Sequence, residues 1–254
     1  MGLFSLCFVI IVTIKLIKRV HVEFVLYVII ALIVFLMICK YKDDKVSKYK
    51  SSDYYQQTKN NYNAVMSDAG LLGEYQLSCK LRRYAQDGAK FLYNTYLPYK
   101  DSTTEIDIIM IHPSGLYVFE NKNYRGVISG SDKDKTWLQH IHHQSYKFQN
   151  PIKQNNTHIS AIRHIVGQTT NIHSVVVFGD KCKLKIKYPG NNEPVIHIKK
   201  LNKRIKKIIN YGYISMSKTR INELYKTLKP YTQVSYFEKQ KHIDQCMMRE
   251  RSTL

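Results

Sequence analysis

The chain has 254 residues, 44% hydrophobic and 23% charged, so it is long enough for one or two cored domains and too apolar to be disordered throughout. The 39 Lys and Arg against 19 Asp and Glu leave a formal charge of +20, which favours polyanions: nucleic acid or an anionic membrane surface. The composition excludes a collagen-like rod, a coiled coil and a multi-span transporter, and five scattered cysteines with no C-x-x-C pair argue for a reducing compartment and against a disulfide scaffold or zinc ribbon.

Residues 1–40 read as a membrane anchor. Phe24 to Cys39 is a run of 16 residues without a charge. At about 1.5 Å per residue it spans roughly 24 Å, and flanking Val20 and Val22 with snorkelling lysines supply the rest of a bilayer core. A first apolar run, Met1 to Ile14, is broken by Lys15, Lys18 and Arg19, giving either a short hairpin of two spans or one span with an interfacial segment. Lys40, Lys42, Lys45, Lys48 and Lys50 follow the second run, and the positive-inside bias places the remainder on the cytoplasmic side of the cell membrane. Residues 41–65 are polar and lysine-rich and read as a basic tether or the start of a helix.

Beyond the tether the elements follow in a readable order. Ser67 or Asp68 caps a helix to about Tyr84, with Leu71, Glu74, Ser78 and Leu81 along one row. Strands are expected at 91–97, 105–111 and 116–122, the last two joined by the turn His112-Pro113-Ser114-Gly115. A second hairpin is expected at 126–130 and 137–141. Asn150 caps a helix that Pro151 opens and Gly167 ends. Strands at 174–178 and 195–198 and basic helices at 205–209, 219–228 and 237–248 complete the chain. This order implies an α/β fold with a mixed sheet flanked by helices.

The charge is uneven: +5 in residues 1–50, +2 in 51–180 and +13 in 181–254. Lys181, Lys183, Lys185 and Lys187 alternate along a strand face, and Lys199, Lys200, Lys203, Arg204, Lys206 and Lys207 form a denser cluster. These can contact phosphates without reading sequence, or anionic lipid at about 1 kcal/mol per residue. Lys outnumbers Arg 30 to 9, a bias that A+T-rich coding alone also produces.

The hairpin 105–122 carries the chemistry. With a four-residue turn at 112–115, Ile111 pairs with Leu116, Asp107 faces Glu120, and Glu105 faces Lys122. All four side chains then project to one side. Opposed carboxylates on an apolar sheet repel and resist burial, so they call for a raised pKa, a cationic partner or a bridging divalent metal such as Mg2+; the bland alternative is a solvated hairpin edge. His140, His142 and His143 form a weaker H-x-H-H pattern.

Asp107 followed by Glu120-Asn121-Lys122 resembles the PD-(D/E)xK nuclease signature. More specifically, residues 70–166 resemble the nuclease-related domain, NERD. Gly73-Glu74, Thr104-Glu105-Ile106-Asp107, Ser114-Gly115-Leu116, Phe119 to Gly126, Trp137, and Asn150-Pro151 with Gln154 carry the match in order. Asn121 departs from the family, which more often has an apolar residue there.

The resemblance implies a restriction-endonuclease-like fold at 66–180, extended or completed by 181–254, and metal-dependent cleavage of nucleic acid, DNA first. Asp107 and Glu120 would hold Mg2+ (or Mn2+), with Glu74 as a third ligand. Lys122 would orient water or offset transition-state charge, and Gln154 would hydrogen-bond the water or Lys122. Asn123, Arg125, Lys199, Lys200, Lys203 and Arg204 would contact nucleic acid. The rival expectation is a non-catalytic, membrane-tethered protein that binds nucleic acid or a partner.

Overall fold

The computed structural model describes residues 2–100, 102–187, 194–211 and 216–251; side chains are described from residue 24 onward, without those of 211, 236 and 245–251. The side chains of Lys15, Lys18 and Arg19 therefore lie outside the described residues. The chain divides into two compact units, Met1–Ser52 and Asp53–Leu254.

The first unit is a single helix, α1 (Gly2–Lys50). It runs unbroken through Lys15–Arg19, so the two apolar runs are not folded into a hairpin. Its segment Phe24–Lys50 is long and apolar enough to cross a membrane, with a mean hydropathy of 2.6 over its most apolar 18-residue window. Residues 41–50, expected as a basic tether or the start of a helix, continue this helix because nothing between Lys40 and Lys50 breaks it: there is no Gly or Pro.

The second unit begins with α2 (Asp53–Thr58) and α3 (Tyr62–Ser67), where the sequence suggested a tether or the start of a helix. Then come α4 (Ala69–Leu81), β1 (Lys90–Tyr99), β2 (Ser102–His112), β3 (Gly115–Lys122), β4 (Gly126–Ser131), β5 (Thr136–Ile141) and β6 (Gln144–Gln149). They are followed by α5 (Pro151–Val166), β7 (Ile172–Phe178), β8 (Cys182–Lys187), β9 (Val195–His197), α6 (Leu201–Tyr211), α7 (Lys218–Leu228) and α8 (Tyr236–Arg251). The local signals act as the sequence implies. Asp68 accepts the Leu71 N–H at 2.8 Å to cap α4. Asn150 accepts the Ile152 N–H at 2.9 Å to cap α5, with Pro151 in the first turn.

The fold is mixed α/β with two mixed sheets flanked by helices. The first sheet has the order β1-β2-β3-β7-β9, antiparallel on the β1–β3 side and parallel from β3 to β9. The second has the order β6-β5-β4-β8. The parallel β3–β7 crossover runs through α5, which covers the sheet: Ala161 and Ile162 pack with Leu92, Ile109, Leu116 and Val118. Ile221, Leu224 and Leu228 of α7 close the same core. Trp137, Ile128, Phe178 and Val176 form a second core between the sheets. The C-terminal segment is integral to the domain, since β9 pairs with β7 and α7 fills the core. β6 is the strand that the sequence reading lacked: Gln144–Lys147 are exposed on both sides, so the segment shows no alternating burial to betray it.

Candidate active site

The turn register expected from the sequence is the one observed: Ile111 pairs with Leu116 and His112 with Gly115. The ladder runs only to Ile108–Phe119. One step beyond, the Asn121 N–H turns to the Asp107 carboxylate, donating to Oδ2 at 2.7 Å instead of to a backbone carbonyl of β2. On the other side of β2, pairing skips Asn94 and Asp107 between Tyr93–Ile108 and Thr95–Ile106, and Asn94 holds a left-handed φ of 49°. Such irregularities re-aim side chains beside sites.

That divergence corrects one expectation. Glu105 does not face Lys122. It accepts from the Tyr96 hydroxyl at 2.6 Å and the Asn94 amide at 3.2 Å. Lys122 instead pairs with Glu120, Nζ to Oε1 at 2.7 Å, and donates to Gln154 Oε1 at 3.1 Å.

Glu120 is 1% exposed, and its second oxygen is 2.9 Å from His158 Nε2. His158 is itself buried and contacts Thr104 Oγ1 through Nδ1 at 2.8 Å. Burial works against the Glu120 charge, but Lys122 and His158 outweigh it and hold the carboxyl below its ordinary value. Burial likewise opposes the Lys122 charge, and Glu120 more than restores it, so this lysine stays protonated.

α4 brings in the third carboxylate. Gly73 lets the helix approach β3 closely: a Cβ there would meet Asn121 Nδ2 at 2.5 Å and Asn123 Cβ at 2.7 Å. Asn121 thus packs its side chain against α4. Glu74 Oε2 accepts from Tyr54 Oη at 3.0 Å and Asn94 Nδ2 at 3.2 Å. Burial, then the negative charge of Glu105, raises the Glu74 pKa from 4.5 to about 7. Asp107 is pushed well above the usual range by burial first and then by Glu120 and Glu74. The negative charges of Glu120 and Glu74 thus both act on Asp107.

Among the described residues, no three His, Cys, Asp or Glu side chains stand close enough to hold an ion as they are placed. Their chemistry nonetheless fits a hard divalent cation. Among the described residues, Glu74 and Asp107 each keep one carboxylate oxygen with no hydrogen bond, and both are raised by burial and then by negative neighbours that a cation would neutralise. Glu120 fits less simply, since Lys122 and His158 occupy its two oxygens.

The expected nucleic-acid contacts separate. Arg125 is exposed. Asn123 is committed elsewhere, its amide donating to Ala69 O at 2.8 Å. Lys199 and Lys200 are exposed after β9, Lys199 lying 3.7 Å from Asp180, and Lys203 is exposed on α6. Arg204 acts on His173, near the far end of β7, whose pKa burial and then the Arg204 charge lower. His140 is held between Ser129 and Ser145 at 2.8 and 2.7 Å, while His142 and His143 sit exposed in the β5–β6 turn.

Sequence reasoning missed Tyr54, Asn94, Tyr96 and His158. Only His158 had a legible signal: it lies four residues after Gln154, on the same face of α5.

The family model described as nuclease-related domain matches residues 69–179. An uncharacterized protein of Bacillus anthracis is 33% identical over 162 residues, covering 63% of this chain and 74% of the relative. The chain belongs to the nuclease-related domain family. No solved structure matches it. The NERD region spans α4 to the end of β7, with Glu74, Asp107, Glu120, Lys122 and Gln154 all inside it. Tyr54, which donates to Glu74, lies outside, so the segment before the family boundary contributes to the candidate site. Family membership points to a nuclease-like function.

Proposed function

We propose that this NERD protein is a membrane-anchored, Mg2+-dependent nuclease acting on DNA, its domain facing the cytoplasm. The observation that carries the reading is the negative charge of Glu120 and Glu74 acting on Asp107, beside a half-buried, charged Lys122 paired with Glu120 at the carboxyl end of β3. Asp107 and Glu120 would hold the cation and Glu74 would complete the set. Bound there, a divalent cation would draw charge from a phosphate oxygen and acidify a water molecule. Lys122, fixed between Glu120 and Gln154, presents its ammonium to the charge that grows on the phosphate during attack. His158 and Thr104 fix the orientation of Glu120. The uncompensated positive charge of the chain draws the polyanion in.

A second reading, a non-catalytic nucleic-acid-binding domain, is favoured by one observation: both Glu120 oxygens already have protein partners. Incubating the detergent-purified chain with DNA and Mg2+ separates the two. The nuclease reading expects cleavage that disappears in Glu120→Ala and Lys122→Ala. Cleavage that survives both substitutions, or salt-sensitive DNA binding with no cutting, removes it.

A further inference from the structure

The second sheet leaves half of one face uncovered beside the candidate site. By the strand register, Trp137, Gln139 and Ile141 of β5 share a face with Phe148, Tyr146 and Gln144 of β6. The Trp137–Phe148 end is closed by Phe178 and Tyr124, with ring centroids 4.9 to 6.3 Å apart. The other end opens into a groove of about 630 Å³ lined by Arg125, Gln139, Ile141, His142, His143 and Tyr146, among others, with no acidic side chain in its lining. Tyr146 is 48% exposed there. Gln139 donates to the Arg125 carbonyl at 3.0 Å and so fixes the loop that carries the guanidinium to the groove. Arg125 is three residues after Lys122, so their Cα atoms are at most about 11 Å apart.

The turn at the groove's edge is strained. His142 has a φ of 52° in a two-residue hairpin loop, a conformation that glycine or asparagine adopts at lower cost. The turn therefore displays two imidazoles at the expense of local stability.

We propose that this groove binds a short run of single-stranded DNA, one base stacking on Tyr146 and the phosphates running past Arg125 and His142 toward Lys122. An aromatic ring beside cationic and amide groups suits unpaired bases, because every base offers a π-face and every nucleotide a phosphate. A duplex hides those faces, so a surface that binds by charge alone gains nothing from melting it. The inference rests on the nuclease-like reading of the adjacent site and supplies its substrate class.

The test measures binding of the full chain in detergent, with EDTA present, to a labelled mixed-sequence oligonucleotide and to its blunt duplex. The single strand binds more tightly than the duplex. Tyr146→Ala weakens single-strand binding by about 5- to 150-fold, the range for loss of one stacked base, while Tyr146→Phe retains it. His142→Gly raises the melting temperature and weakens single-strand binding. Duplex binding equal to or tighter than single-strand binding, or full single-strand affinity in Tyr146→Ala, overturns the proposal. Because no divalent cation is present, strand preference and cleavage are read separately. Strand preference in a chain that never cuts DNA keeps the groove and removes the nuclease reading; cutting without strand preference does the reverse.

Discussion

Glu74→Gln should make the protein more stable at pH 8, although it removes a side chain of the candidate site. The Glu74 carboxyl is raised from 4.5 to about 7, chiefly by burial and then by Glu105. Between those values the folded protein keeps a proton that the unfolded chain has lost. With respect to this group, stability is therefore greatest below pH 4.5, falls as pH rises, and levels off above about 7. The rise from 4.5 to about 7 corresponds to roughly 3 kcal/mol at pH 8. Glutamine removes the charge, and its carbonyl still accepts from Tyr54 and Asn94, so a gain of about 1–3 kcal/mol at pH 8 and almost none at pH 4.5 is expected. At about 2–4 °C per kcal/mol for a domain of this size, the melting temperature should rise visibly. Trp137, the single tryptophan and fully buried, gives a fluorescence readout of domain unfolding. Mg2+ should stabilise the parent protein more than the variant, because it relieves the same repulsion. A variant no more stable than the parent at pH 8, or equally stabilised at both pH values, would refute the charge-crowding argument.

Two further outcomes follow from the same geometry. Lys122→Ala leaves Glu120 buried without its cation and should cost on the order of 3 kcal/mol, and Glu120→Ala in the same chain should recover part of that loss in a denaturation double-mutant cycle. Gly73→Ala forces α4 away from Asn121 and Asn123 by the overlap of one methyl group; it should lower stability by about 1–3 kcal/mol in urea titrations, while the larger displacement of Glu74 lowers DNA cleavage more steeply than stability.

The sequence alone determined the long apolar N-terminal helix, the capped helices α4 and α5 and the hairpin register. Each rests on a local rule: an uncharged run, a cap followed by its helix, a four-residue turn that sets strand partners. The pairing within the site was decided only by tertiary structure. A turn fixes register where the ladder is formed, but it cannot say where the ladder stops. The β2–β3 ladder ends before Asp107 and Glu120, so Lys122 reaches Glu120 rather than Glu105, and Asn94 and Tyr96 take the place that Lys122 had been assigned. Tyr54 and His158 lie 20 and 38 residues from the carboxylates they bind, and only packing of α2 and α5 on the sheet brings them there. The split of the strands into two sheets is likewise a property of packing: the core around Trp137 and Phe178 requires a second layer, and no spacing within the chain records it.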